Sequence, residues 1–86
     1  MGVNNPRGVA VLALHLVLNK GKKPKDVLEE HANHLSKRDR SLAMELLYGV
    51  LRHLMMIDYV INKFSKKPKK QLNPFLLNNL RIGVYQ

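Results

Sequence analysis

The sequence predicts an all-α fold, a small bundle of about five helices. Three observations carry that prediction. Apolar side chains recur at i, i+3, i+4 and i+7 through most of the chain. Helix-start signals mark successive segments: Asn5-Pro6, Pro24, Ser36 with Asp39, and Asn73-Pro74. No segment alternates apolar and polar residues long enough to read as a half-buried strand.

Asn5-Pro6 places a capping side chain before a proline at the first helical position. It opens a helix that runs to about Asn19 and stops at Gly21. Val9, Leu12, Ala13, Leu16 and Val17 give it an apolar face. A buried strand competes for this run, but its length and the Asn-Pro start favour helix. "GKKPKD" (21–26) is a charged turn, and Pro24 starts a short second helix whose face is Val27, Leu28, His31 and Leu35. Ser36 with Asp39 resembles a capping box in which Asp replaces the usual Glu. The helical pattern that follows continues through "ELLYGVLRHLMMIDYVI" (45–61) to the basic loop "SKKPKKQLNP" (65–74). Asn73-Pro74 then opens "FLLNNLRIGVYQ", which reaches Gln86 still apolar and uncapped, as a piece of a longer chain would.

In the 45–61 run, Leu46, Leu47, Val50, Leu51, Leu54, Ile57 and Ile61 form one stripe, with Tyr48, Met55 and Tyr59 opposite. A helix apolar nearly all round belongs inside a bundle, so Tyr48 and Tyr59, which could stack bases, read more readily as core, and the Met55-Met56 pair as packing filler. Gly49 costs about 1 kcal/mol against Ala in mid-helix, which points to a neighbouring backbone crossing too close for a methyl group. Arg52 has two readings. It is either paired with Asp58, which requires a helix break near His53 to Met56 because the two otherwise point about 120° apart, or it reaches the surface to meet a phosphate or a base.

With 86 residues there is room for one small domain, which buries only roughly 60% of its unfolded surface. Fifteen Lys and Arg against six Asp and Glu give a net charge of +9, which directs attention to a polyanion: nucleic acid or an acidic membrane surface. The longest apolar run, "VAVLALHLVL" (9–18), is too short to span a bilayer, and "NKGKKPK" follows it where a signal peptide needs small residues. The absence of cysteine removes disulfides and thiolate metal sites and fits a reducing cytosol.

The cations fall into clusters. Lys20, Lys22, Lys23 and Lys25 occupy the first turn; Lys37, Arg38 and Arg40 the third helix start; Lys63, Lys66, Lys67, Lys69 and Lys70 the region of the basic loop. A single such run is most often a solvated surface, but several on a body this small point to a phosphate backbone. Arg38, Arg40 and Arg7 lie in or beside helix first turns, where cations are electrostatically disfavoured and so need another reason. The candidate nucleic-acid contacts are therefore Arg7, Lys22, Lys23, Lys37, Arg38, Arg40, Arg52 and Lys67, with Ser36, Gly49 and Asp58 as structural positions. His31 and His34 beside Glu30 lack the third partner a metal needs. No nucleophile–base–acid order and no glycine-rich phosphate loop appears, so no catalytic or metal-binding residue is expected.

At "NPRGVAVLAL", "LSKRDRSLAMELLYGVLRHLMMIDYVINKF" and "LRIGVYQ" the chain resembles the NusB-like RNA-binding domain. The form it resembles more narrowly is the N-terminal part of the RsmB (Sun/Fmu) type of 16S ribosomal RNA cytosine-5 methyltransferase. The residues that carry the likeness are Asn5-Pro6-Arg7, Arg38-Asp39, Ala43, Leu47, Tyr48-Gly49-Val50-Leu51-Arg52, Asp58, Ile61 and Leu80 to Gln86. The resemblance implies a NusB-like bundle, incomplete at its C-terminus, in which the 45–61 run breaks near His53. It implies a cytoplasmic RNA-binding module for ribosomal RNA. The catalytic domain, with its S-adenosylmethionine and cysteine nucleophiles, would lie beyond these residues, leaving no enzyme in them. The stand-alone relative, the NusB transcription antitermination factor, binds RNA together with a ribosomal protein, and that reading stays open. So does a protein-interaction role, in which apolar surface docks the missing catalytic domain or a second copy in a homodimer.

Overall fold

The computed structural model describes residues 5–64 and 72–86, and among these it contains five helices. They are α1 (Pro6–Lys20), α2 (Pro24–His31), α3 (Lys37–Arg52), α4 (Leu54–Phe64) and α5 (Pro74–Tyr85). The start signals act through their side chains. Asn5 Oδ1 accepts from the Gly8 N–H at 2.6 Å, Ser36 Oγ from Asp39 N–H at 3.1 Å, and Asn73 Oδ1 from Phe75 N–H at 2.8 Å. Each satisfies a donor that a helix N-terminus otherwise leaves open. Gly21 ends α1 in the left-handed conformation at φ 69°, and the N–H groups of Gly21 and Lys22 both close on the Leu16 carbonyl.

Helix α1 packs against α2, α3 and α5, while α4 leans on α5 and meets α3 at its own start. Val9, Ala10, Val11, Ala13 and Leu14 of α1 are buried, an arc of about 200°. The expected face of Val9, Leu12, Ala13, Leu16 and Val17 is therefore only partly correct: Leu12, Leu16 and Val17 are half-buried. A helix with neighbours on three sides has no single stripe to read. Around α1 the core is closed by Val27 and Leu28 of α2, Ala32 and Leu35 of the following turn, Ala43, Leu46, Leu47 and Val50 of α3, Ile57 and Ile61 of α4, and Ile82 of α5.

The 45–61 run does break where the resemblance implied. The His53 N–H donates to the Gly49 carbonyl, closing α3, and the His53 carbonyl accepts from the Ile57 N–H, opening α4. Proline is absent there, so the cause is tertiary. Gly49 and Asp58 both face α5, yet on one straight helix nine residues apart they would point about 180° away from each other. The break lets both ends of the run meet the same neighbour.

Two expectations about this run need correction. It is not enclosed on all sides: Met55 is 90% exposed, Met56 69% and Tyr59 65%. Neighbours cover α3 and α4 from the inside only, so their far faces are solvated. Nor does a backbone cross at Gly49. A methyl group there would overlap the ring of Tyr85, a side chain from the last turn of α5.

The Arg52–Asp58 pairing is not formed. Asp58 belongs to a buried fork with Arg81 of α5: Arg81 Nε donates to Oδ1 at 2.8 Å and Nη2 to Oδ2 at 3.0 Å, while Nη1 reaches Asn78 Oδ1 at 2.8 Å. Both partners are nearly inaccessible, at 9% and 8% exposure. A planar guanidinium matches a carboxylate in this two-point geometry better than any lysine. Arg52, left outside, points to solvent.

Candidate nucleic-acid interface

The Ser36 cap fixes where α3 begins, and its apolar positions Ala43, Leu46, Leu47 and Val50 fix which way it faces. Everything on the other side then follows from the 100° step per residue. Lys37, Arg38, Arg40, Met44, Tyr48 and Arg52 are all exposed on that outer face, with Glu45 as its exposed carboxylate. Arg40, Met44, Tyr48 and Arg52 recur every fourth residue, so they form a row about 18 Å long. Lys37, Arg38 and Arg52 make no ion pair with any described residue.

Beside this row, α2 and α3 enclose a groove of about 210 Å³ lined by Lys25, Leu28, Glu29, Asn33, Arg40, Met44 and Tyr48. Arg40 is held at its rim, with Nη2 donating to the Leu35 carbonyl at 3.4 Å. The groove thus combines an aromatic ring, a thioether, two cations, a carboxylate and a carboxamide. That mixture suits a ligand with flat apolar faces and a charged polar frame.

Other expected contacts lie elsewhere. Arg7 lines a separate groove with Asn5, Gly8, Val11, Leu12, Phe75 and Asn79. Its guanidinium ties α1 to α5, donating to Gln86 Oε1 at 2.7 Å and to the Asn79 carbonyl at 3.4 Å. Lys22 and Lys23 are exposed in the turn before α2. Lys67, with Lys66, Lys69 and Lys70, falls outside the described residues.

A sequence model of the NusB family matches residues 4–86, nearly the whole chain. The chain belongs to the NusB family. Its relatives include proteins named ribosomal RNA small subunit methyltransferase B. The one from Proteus mirabilis is 32% identical over 82 residues, 95% of this chain and 19% of the relative. That of Salmonella enteritidis is 31% identical over 83 residues, 96% of this chain and 19% of the relative. In Escherichia coli O1:K1 the identity is 30% over 82 residues, again 95% and 19%. The chain therefore spans about a fifth of the length of these relatives. No solved structure gives a significant match.

For a NusB-family domain the all-α bundle is as the sequence predicted. The described residues contain no strand, and so no glycine-rich strand-to-helix turn. They also contain no group of three or more His, Asp or Glu placed to hold a metal ion, and no helix long and apolar enough to cross a membrane.

Sequence reasoning missed Glu29, Asn33 and Met44 as site residues, placed Lys25 only in a basic cluster, and set Tyr48 aside as core after weighing base stacking. For Tyr48 and Met44 a signal existed, since both share the every-fourth-residue row of Arg40 and Arg52. For Glu29 and Asn33 there was none, because only the packing of α2 on α3 brings them to the same groove.

Proposed function

We propose that this domain is an RNA-binding module that gives a longer small-subunit ribosomal RNA cytosine-5 methyltransferase part of its hold on the substrate. The observation that carries the reading is the outer face of α3, where Lys37, Arg38, Arg40 and Arg52 stand exposed beside an aromatic-walled groove. Family membership and the names of the relatives supply the ligand class. Arg7, Lys22, Lys23 and Lys67 are assigned to further phosphate contacts away from this face or outside the described residues. Methyl transfer, with S-adenosylmethionine, belongs to sequence outside this domain, in the cytoplasm where ribosomal RNA is made.

The test is fluorescence anisotropy with a small-subunit ribosomal RNA fragment across a salt series. Four phosphates neutralised by the α3 cations on single-stranded RNA contribute about −2.8 to the slope of log K against log salt. Replacing Arg38, Arg40 and Arg52 together by Gln makes the slope shallower by about 2. A flat salt response in the parent protein refutes the reading.

A second reading, protein docking, has one observation in its favour. Val60, Ile61, Phe64, Leu80 and Val84 line an open apolar groove of about 260 Å³ between α4 and α5. It would seat a second copy or another domain of the longer protein. Size-exclusion mass at two concentrations, repeated at high salt, separates the readings: apolar association survives salt, and RNA contacts weaken.

A further inference from the structure

We propose that the groove between α2 and α3 is a subsite for one unpaired nucleobase carrying an exocyclic amino group, favouring adenine or cytosine over uracil. This rests on the RNA-binding reading and adds to it a place and a preference.

Lys25, Glu29, Asn33 and Tyr48 make no hydrogen bond or ion pair with any described residue. Tyr48 is 36% exposed on the outer face of α3, so part of its ring is open to the groove. Its ring and the Met44 side chain form an apolar wall one helical turn long. Leu28 closes the floor from α2. A wall of this kind takes the face of a base, and stacking on an aromatic side chain is sequence-tolerant.

The preference comes from Glu29. An ionised carboxylate only accepts hydrogen bonds, so it favours the exocyclic amino group of adenine or cytosine, where uracil carries the acceptor O4 and offers only its N3–H as a donor. Asn33 both donates and accepts, which completes an edge on adenine or cytosine. Around this pocket the cations are spaced for a backbone. Arg40 and Lys25 line the groove itself, and Arg52 stands one turn beyond Tyr48 along the same row. A base seated on Tyr48 leaves its flanking phosphates between these positive ends.

The experiment measures binding of fluorescein-labelled single-stranded oligoadenylate, oligocytidylate and oligouridylate ten-mers to the 86-residue chain at fixed salt. The parent binds the adenine and cytosine strands about tenfold more tightly than the uracil strand. Tyr48→Ala loses roughly tenfold affinity for all three while its salt slope is unchanged, and Tyr48→Phe keeps parental affinity. Glu29→Gln narrows the difference between the strands without altering the slope. Circular dichroism of each variant establishes that the helices persist. Equal binding of the three strands, or parental affinity in Tyr48→Ala with the salt slope intact, overturns the subsite and leaves the RNA-binding reading standing. A parent protein that binds none of the strands and shows no salt-dependent binding of ribosomal RNA removes the broader reading as well.

Discussion

Replacing Asp58 by Ala tests the joint between α4 and α5. The Arg81 fork loses both carboxylate hydrogen bonds, of 2.8 and 3.0 Å, at a site where Arg81 is only 8% exposed. The guanidinium cannot be neutralised, and α5 must shift to let water reach it. Removing one partner of a buried pair costs about 3–5 kcal/mol. A domain of this length has a total stability of roughly 4–13 kcal/mol, so the loss is a large share of it. At about 4–8 °C per kcal/mol, the melting temperature falls by at least about 12 °C. Thermal melts and urea titrations followed by circular dichroism measure both quantities. The control is the cycle through Asp58→Leu, Arg81→Met and the Asp58→Leu/Arg81→Met pair. Because an apolar pair of similar size removes the charge as well as its partner, the double variant recovers most of the stability. An Asp58→Ala loss below about 1 kcal/mol, or a double variant as unstable as the sum of both singles, refutes the claim that burial makes this pair critical.

Three further outcomes follow from the same reasoning. Gly49→Ala gains about 1 kcal/mol of helix propensity but forces the Tyr85 ring aside, for a net loss of about 1–2 kcal/mol in urea; in a Tyr85→Ala background the sign reverses, because the obstructing ring is gone. Ser36→Ala removes the acceptor for the Asp39 N–H and lowers stability by about 1 kcal/mol, measured by the same titration. Arg7→Gln, on an exposed contact between α1 and α5, lowers stability by less than about 1 kcal/mol and increases amide hydrogen exchange in the last turn of α5.

How much of this was legible in the sequence depends on the range of the interaction concerned. Asn5-Pro6, Ser36 with Asp39, Gly21 and Asn73-Pro74 each act on backbone groups within a few residues, so local spacing reveals them. The outer face of α3 was legible in part: its cations were named, but its tyrosine was assigned to the core. Periodicity reports that a stripe is apolar and cannot report whether a neighbour covers it. The Asp58 partner illustrates the same limit. Arg81 was visible as a cation inside an apolar helix, and Asp58 is the sole acid after Glu45, yet they lie 23 residues apart. Linear proximity favoured Arg52 instead.

The sequence by itself determined the helices, their caps and the surplus of positive charge, because propensity, capping and composition are properties of short segments or simple sums. Only the tertiary structure decided which helix would be enclosed and which arginine would be buried, and gave the reason for the break near His53 that the resemblance alone had signalled. Those outcomes depend on α5 packing across both α3 and α4, and on α2 lying along α3 to make a groove from residues with no local relation. Contacts between distant segments are settled by what fits against what, and the order of residues along the chain does not carry that information locally.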